Sequence, residues 1–410
     1  DCLLSRGLGD VYKRQNTYRT VIGQTHESIL AEYEEMNTGN AYTDNVLYGM
    51  RKINGVNYQL TGGFCGELSS VKQENAYSAH SYSFYTVPRI EWERNDFLFT
   101  AATTVRWSHL PKQSYSRFCV SPFFCFRYKF TPRWKMSLLG SLDESEGGLK
   151  DIYPFRYRED YRTVVKHTGK VPVTVRQLYT CYLEYKNTIK EFFWTLSASY
   201  SHNRYNLITE RNYKDGNFYL SSVERNHSSH SYTLNTIGSK GIYDWNLKTS
   251  LELTLARNEG KQLNEGIVQD YRYDYLCIEP KIVWAPSVFF EAEYKATVSC
   301  VGGGIGEDTS LDPLWEVAQR LTLSLEFHDT EFRLSGEHFY NDLSKNQHLN
   351  IWLADVSLIH KVGKWRFAAS AINLFNKEQY RYTLYSAVQS YTSWIKLRPR
   401  EFMVSVQYQW

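Results

Sequence analysis

The stretch WNLKTSLELTLAR, residues 245–257, decides the fold class because apolar and polar side chains alternate along it. Its odd positions up to residue 255 read Trp, Leu, Thr, Leu, Leu and Leu, whereas its even positions include Lys248 and Glu252. A period of two is that of a β-strand with two different faces. A slip of one residue would carry both charges to the apolar side, so the pattern also fixes the register of the strand.

The same alternation recurs along the chain, in stretches of roughly 10 to 14 residues from about residue 46 onward. Residues 97–107, 320–327 and 402–410 are clear examples. Strands of water-soluble proteins average about 5 to 6 residues, whereas a strand that crosses a membrane at a tilt needs about 9 to 11. The lengths therefore favour strands that cross a membrane.

The connections between these stretches alternate between short turns and long polar segments. Short turns are predicted near Asn54-Gly55, the strongest hairpin signal, and near residues 93–96, 131–133, 187–190, 241–244, 285–287, 329–330 and 363–364. Long polar segments are predicted at 67–77, 145–174, 203–230, 258–267, 301–314, 344–350 and 376–398. Tight turns at one end and long loops at the other predict an all-β, antiparallel, up-and-down transmembrane β-barrel.

Tryptophan placement gives a second indication of a membrane protein. Seven of the 11 tryptophans lie near a short turn or the C-terminus: Trp92, Trp134, Trp194, Trp245, Trp284, Trp365 and Trp410. Indole rings at one depth are typical of an interfacial aromatic girdle. The alternative, a β-sandwich with tryptophans in its core, predicts mid-strand positions instead.

Composition excludes several classes of protein. Hydrophobic residues make up 42% of the 410 residues and charged residues 22%, and 47 basic against 44 acidic side chains leave a net charge of +3. Such a chain is too apolar for disorder and lacks the basic excess that nucleic-acid binding requires. We therefore expect no nucleic-acid partner.

The C-terminal part resembles a known family. The stretches AINLFNKEQY, residues 371–380, and RPREFMVSVQYQW, residues 398–410, resemble the last two strands of TonB-dependent outer-membrane receptors. Residues 121–155 are further similar to receptors of this type from Bacteroidetes. The resemblance implies a 22-stranded barrel with an N-terminal plug, of which about 16 to 18 strands and no plug are expected in this chain.

The expected domain organisation follows from the same comparison. Residues 1–15 resemble translated adaptor sequence and are expected to be non-native, residues 16–45 are expected to be a remnant of the upstream barrel, and residues 46–410 form the outer-membrane barrel. The resemblance also implies that Phe402, Val404, Val406, Tyr408 and Trp410 form the signal read by the barrel-assembly machinery.

The resemblance implies TonB-dependent uptake of a bulky nutrient. The implied partners are outer-membrane lipid, the TonB complex through the missing plug, and a surface lipoprotein in some receptors of this type. Tyrosines in two long loops are the candidate ligand contacts, because aromatic rings supply contact area at a low entropic cost. These are Tyr153, Tyr157, Tyr161, Tyr380, Tyr382 and Tyr385.

No motif indicates catalysis. The glycines at 302–306 lack the ending of a phosphate-binding loop, and His227 and His230 lack a nearby carboxylate or cysteine partner. We expect no enzymatic activity, no metal site and no cofactor. Two alternatives stay open: a passive outer-membrane porin and an outer-membrane barrel enzyme.

Overall fold

Strands account for nearly all of the regular structure in the computed structural model. It describes residues 2–6, 11–12, 35–49, 55–72, 76–154, 156–159, 162–306, 309–344, 347–385 and 390–409. The strands are β1 (Cys2–Arg6), β2 (Val11–Tyr12), β3 (Glu35–Gly49), β4 (Val56–Lys72), β5 (Ala76–Arg94), β6 (Phe97–Leu110), β7 (Tyr115–Lys129), β8 (Trp134–Glu146), β9 (Arg156–Arg158), β10 (Thr163–Lys166), β11 (Val173–Asn187), β12 (Phe192–Lys214), β13 (Asn217–Ile242), β14 (Leu247–Asn264), β15 (Ile267–Ser287), β16 (Phe290–Ile305), β17 (Thr309–Phe327), β18 (Thr330–Ser344), β19 (Gln347–Val362), β20 (Trp365–Ile372), β21 (Gln379–Tyr385), β22 (Ser390–Lys396) and β23 (Glu401–Tyr408).

Three short 3-10 helices complete the described elements: Pro111–Gln113, Leu149–Ile152 and Tyr243–Trp245. Within the ranges given above, no helix is long and apolar enough to cross a membrane.

Seventeen strands form one antiparallel meander: β3 to β8, β11 to β20, and β23, each paired with the next in that order. This agrees with the predicted up-and-down architecture and with the expected 16 to 18 strands. Among the described residues, no pairing joins β23 to β1, β2 or β3, so the sheet is open. The hairpin of β21 and β22 forms a separate two-stranded sheet within the connection from β20 to β23.

The two faces of the sheet divide as the alternation predicts. Large exposed hydrophobic side chains lie almost entirely on one side, here called the apolar face. Examples from successive strands are Tyr58, Phe84, Trp107, Phe124, Leu138, Tyr179, Leu234, Leu251, Ile282, Leu321, Leu358 and Val404. The opposite side, here called the polar face, carries small polar residues that are more than 90% buried, such as Thr100, Thr180, Ser299 and Ser335. A water-soluble sheet places these two kinds of side chain the other way round.

Most of the predicted long loops are strands instead. Segment 203–230, for example, continues β12 to Lys214, turns at Asp215 and Gly216, and returns along β13. Both turn residues have positive φ angles, 51° and 76°, as a two-residue hairpin turn requires. The described residues of segments 258–267, 301–314 and 344–350 likewise belong to extended two-stranded ribbons. Segment 376–398 contains the separate hairpin of β21 and β22. Segment 145–174 leaves the meander, although its strand β10 pairs in parallel with β13 of the large sheet. The short turns lie at the opposite end as predicted.

Asn373 fixes the base of the connection from β20 to β23. Its Nδ2 donates to the carbonyl oxygens of Lys377 at 2.7 Å and Arg398 at 2.8 Å, while its Oδ1 accepts from the Lys377 amide at 2.9 Å. Its own amide donates to Asp355 Oδ1 at 2.8 Å. Asn376, also at positive φ, accepts from the Arg400 amide at 2.9 Å. The two asparagines of the 373–376 motif therefore hold both ends of the excursion from 373 to 400 together.

Asn373→Asp should destabilise the folded chain, because aspartate keeps the acceptor but loses both Nδ2 donations at a residue that is 6% exposed. We expect a loss of about 2 kcal/mol in the free energy of unfolding, measured by denaturant titration in detergent micelles. The matched control is Asn376→Asp, where the hydrogen bond to Arg400 uses only the retained oxygen. Equal losses in both variants would show that the donations of Asn373 do not matter.

Candidate functional site

The polar face carries charged side chains of both signs, paired across strands. Cross-strand ion pairs join Lys135 to Glu184 at 2.8 Å, Lys281 to Glu293 at 3.6 Å and Arg320 to Glu337 at 3.3 Å. Their side chains keep between 30% and 49% of their exposure, so solvent screens them and each contributes little to stability. A face of this kind suits the wall of a water-filled channel.

Segment 147–172, here called the covering segment, packs its 3-10 helix on the polar face, and its strand β10 pairs in parallel with β13. Leu149 and Ile152 from its 3-10 helix are 2% and 0% exposed and pack with Ala79 and Leu110. By strand alternation, Ala79 and Leu110 belong to the polar sides of β5 and β6. The contact is the main hydrophobic cluster of buried residues in the described part of the chain. The covering segment therefore occupies part of the polar face at the ribbon end.

Backbone and amide hydrogen bonds close the base of the covering segment. The Gly147 amide donates to the carbonyl of Pro172 at 2.8 Å. Asn206 accepts from the Val173 amide at 2.7 Å and donates to the Val171 carbonyl at 2.9 Å. Asn206 lies at the bulge where the pairing of β12 with β13 shifts, so the bulge aims this side chain at the covering segment.

A network of charged side chains spans a split in the sheet beside the covering segment. The pairing of β7 with β8 ends at Phe123 and Ser141, whereas β8 stays paired with β11 as far as Glu146. Arg117 bridges the split to Glu144 at 2.9 Å, and Arg106 lies 3.7 Å from Glu146. The pair of Arg117 and Glu144 joins β7 to β8 where their backbone pairing has ended, and Arg106 reaches β8 from β6.

Tyr115 completes this network. Its hydroxyl donates to Glu146 Oε1 at 3.2 Å. Burial, together with the negative charge of Glu146, raises the pKa of Tyr115 to about 12. The phenol therefore stays protonated and remains a donor throughout the physiological pH range.

The six predicted girdle tryptophans within the described residues all lie at the short-turn end of the sheet. Several meet other aromatic rings there: Trp134 lies 6.0 Å from Trp194, and Trp365 lies 4.8 Å from Tyr408. Trp245 is 66% exposed. Their role at a lipid interface remains a prediction, and Trp410 lies outside the described residues.

A second girdle of aromatic side chains crosses the apolar face, nearer the end of the sheet that carries the two-stranded ribbons. The sequence analysis did not predict this second girdle. Tyr200 of β12 lies 6.5 Å from Tyr179 and 5.1 Å from Tyr232. The other members are Tyr82, Trp107, Phe118, Trp315 and Trp352. The separation of Trp92 and Tyr82 along β5 corresponds to about 33 Å of strand, or about 23 Å of height at a tilt of about 45°. That height agrees with the band of about 25 Å between the aromatic girdles of outer-membrane barrels.

The predicted ligand tyrosines separate into two groups. Tyr153 is 4% exposed and packs at 5.4 Å from Tyr77, while the Tyr157 hydroxyl lies 3.3 Å from His167 Nε2. Tyr380, Tyr382 and Tyr385 lie on β21, whose backbone alone is described, and Tyr161 falls outside the described residues. Contact with a ligand remains a prediction for all six.

The predicted assembly strand is an edge of the sheet. On β23, Phe402 is 74% and Val404 81% exposed, and the strand pairs only with β20 among the described residues. Recognition by the assembly machinery remains a prediction. Within the same part of the chain, no group of three His, Cys, Asp or Glu side chains could hold a metal ion.

No family model and no curated protein matches the sequence. Three similar solved structures are a mutant of the ferric enterobactin receptor PfeA of Pseudomonas aeruginosa, the ferric yersiniabactin uptake receptor FyuA of Yersinia pestis, and P. aeruginosa FpvA bound to heterologous pyoverdines. PfeA has 8% identity and a TM-score of 0.35, over 90% of this chain and 77% of its own. FyuA has 9% identity and a TM-score of 0.34, over 97% of this chain and 73% of its own. FpvA has 11% identity and a TM-score of 0.31, over 92% of this chain and 71% of its own.

Glu67 links the stability of the covering segment to pH. Burial, with a further contribution from Asp151 of the covering segment, raises the pKa of Glu67 above its ordinary value. A carboxyl group whose pKa is raised on folding favours the folded form at low pH, and this contribution is lost as the pH rises above the ordinary glutamate pKa.

Glu67→Gln should therefore strengthen docking of the covering segment at pH 7.5 and leave it unchanged near pH 4. Hydrogen exchange of amides 147–172, normalised at each pH to the exchange of the unfolded chain, measures the difference. Glu291→Gln, an exposed glutamate on β16, is the control and should change nothing. If the two variants behave alike, the docking does not depend on the charge of Glu67.

Proposed function

We propose that this chain is the barrel of an outer-membrane receptor that takes up a bulky nutrient by TonB-dependent transport. The observation that carries the proposal is the distribution of side chains on the sheet, which is the reverse of that in a water-soluble protein. Aliphatic and aromatic side chains are exposed on one face, and small polar groups are buried on the other. Exposing such a continuous apolar surface to water is unfavourable, so the surface requires an apolar surrounding. Lipid supplies that surrounding, and the polar face then lines the channel.

The two girdles of aromatic side chains support the bacterial outer membrane as the location. They bound an apolar band of the height expected for a transmembrane β-barrel, with tight turns on one side and two-stranded ribbons on the other. In this arrangement the turns lie in the periplasm and the ribbons outside the cell. The ribbons and the covering segment then meet the nutrient first.

Energy coupling would come from an N-terminal plug encoded upstream of the chain, as the resemblance of residues 371–380 and 398–410 implies. A surface lipoprotein and the barrel-assembly machinery are further proposed partners.

A passive porin is the second candidate, and the covering segment is the observation in its favour. The segment already covers part of the polar face, with Ile152 fully buried against it. In a barrel without a plug, such a segment would narrow the channel and set its size limit.

Leu321→Lys tests the membrane location. Leu321 is 45% exposed on the apolar face, midway between Trp315 and Phe327 on β17. In lipid, the lysine should lower the free energy of unfolding by about 2–4 kcal/mol, measured in phospholipid vesicles. The control is Thr322→Lys, on the polar face opposite Glu293, which should be tolerated. If Leu321→Lys costs nothing, the apolar face is not covered by lipid.

Outer-membrane permeability separates the receptor from the porin. Cells that express the complete coding sequence should hydrolyse a small periplasmic β-lactamase substrate no faster than cells without it, because a plugged receptor does not leak. A porin should accelerate the hydrolysis in proportion to its expression. Faster hydrolysis that persists after the proton-motive force is collapsed would contradict energy-coupled uptake.

A further inference from the structure

A cleft of about 660 Å³ lies between the ribbon ends of β11, β12, β13 and β14. His202 and Arg204 line the cleft. On β12 they follow Tyr200, a member of the second aromatic girdle, so the cleft lies beyond the apolar band. The bulge at Asn206 forms one side of it. Bulges at such positions re-aim side chains and are common beside functional sites.

The charged side chains in the wall of the cleft are all basic. Arg117, Arg204 and Lys261 line it, and no aspartate or glutamate does. Two smaller clefts, of about 490 and 400 Å³, contain as many acidic as basic side chains. Their acidic residues are Glu259 and Asp270 in one, and Glu252, Glu279 and Glu337 in the other. The excess of positive charge is therefore specific to this cleft among the three.

Arg204 is the cation most available to a ligand. Arg117 is paired with Glu144 at 2.9 Å and Lys261 with Asp270 at 3.0 Å. Arg204 is exposed, and its guanidinium makes no hydrogen bond or ion pair with another described residue. Its backbone lies opposite Val175 and Ser228, so no acidic side chain stands directly across either neighbouring strand.

Aromatic and imidazole rings provide the rest of the contact surface. Tyr205 and His227 are stacked with their centroids 4.8 Å apart. Burial lowers the pKa of His227, and burial together with His230 and Arg204 lowers that of His202. The lowered pKa values favour the neutral imidazoles, which can accept or donate a hydrogen bond, so the positive charge of the cleft comes from the arginines and the lysine.

We infer that this cleft binds a soluble oligoanion whose carboxylate or phosphate oxygens are held by the guanidinium of Arg204. Guanidinium groups bind both kinds of oxygen in a bidentate manner, and the volume suits a ligand of a few hundred daltons. As a binding site the cleft is independent of transport. Arg204 lies on the same side of β12 as Tyr200, which the proposed function turns away from the channel, so the inference concerns a ligand held at the outer surface of the ribbon end.

Calorimetric titration of the detergent-solubilised chain with citrate and with tripolyphosphate tests the inference. We expect at least one of them to bind, and to bind about tenfold more weakly to Arg204→Gln. Arg204→Lys, which keeps the charge, should retain part of the affinity. The matched control is Arg133→Gln, an exposed arginine in a short turn at the other end of the sheet, which should bind like the wild type.

Three results would overturn the inference. They are no binding of either anion, equal loss in Arg204→Gln and Arg133→Gln, and binding of phosphatidylglycerol micelles alone, which would assign the cleft to a lipid headgroup. Thermal unfolding of each variant confirms that it is folded. Because the titration involves no membrane and no uptake, its failure leaves the proposed transport function untouched, and failure of uptake leaves a positive titration standing.

Discussion

Register is the constraint on which the rest of this structure depends. Seventeen strands keep their alternating side chains in step, so that Phe84, Trp107 and Phe118 face one side while Arg106 and Arg117 face the other. Because side chains alternate with a period of two, a one-residue slip between any two strands would exchange the faces of all that follow. The cross-strand ion pairs on the polar face and the ring stacks on the apolar face each favour the same register, so the two surfaces reinforce one another.

Local sequence was sufficient to predict the strands and their faces. Residues 245–257 alternate in the structure as they do in the sequence, because strand alternation needs no knowledge of distant residues. The same reasoning failed at 203–230, where polarity indicated a loop. Polar side chains are equally suited to a solvated two-stranded ribbon, and the Asp215–Gly216 turn was the available signal that this segment is a hairpin.

The candidate site could not be predicted in this way, because it depends on contacts between residues far apart in the chain. Ile152 is buried only because Ala79 and Leu110 lie on the polar face beneath it. Arg117 and Glu144 form their ion pair where β7 and β8 separate. No local sequence pattern predicts that separation. The second aromatic girdle could have been predicted from the sequence, because Tyr82 lies ten residues before Trp92 and therefore on the same side of β5.

The hydrogen bonds of Asn373 at the base of the connection from β20 to β23 have an evolutionary consequence. Asn373 joins the carbonyl groups of Lys377 and Arg398 at the base of the excursion, so these hydrogen bonds close the base through a side chain outside the stretch that they enclose. Descendants of this gene can lengthen, shorten or replace that intervening stretch while the framework beneath it is unchanged. Variation in that stretch is thereby separated from the inheritance of a stable scaffold.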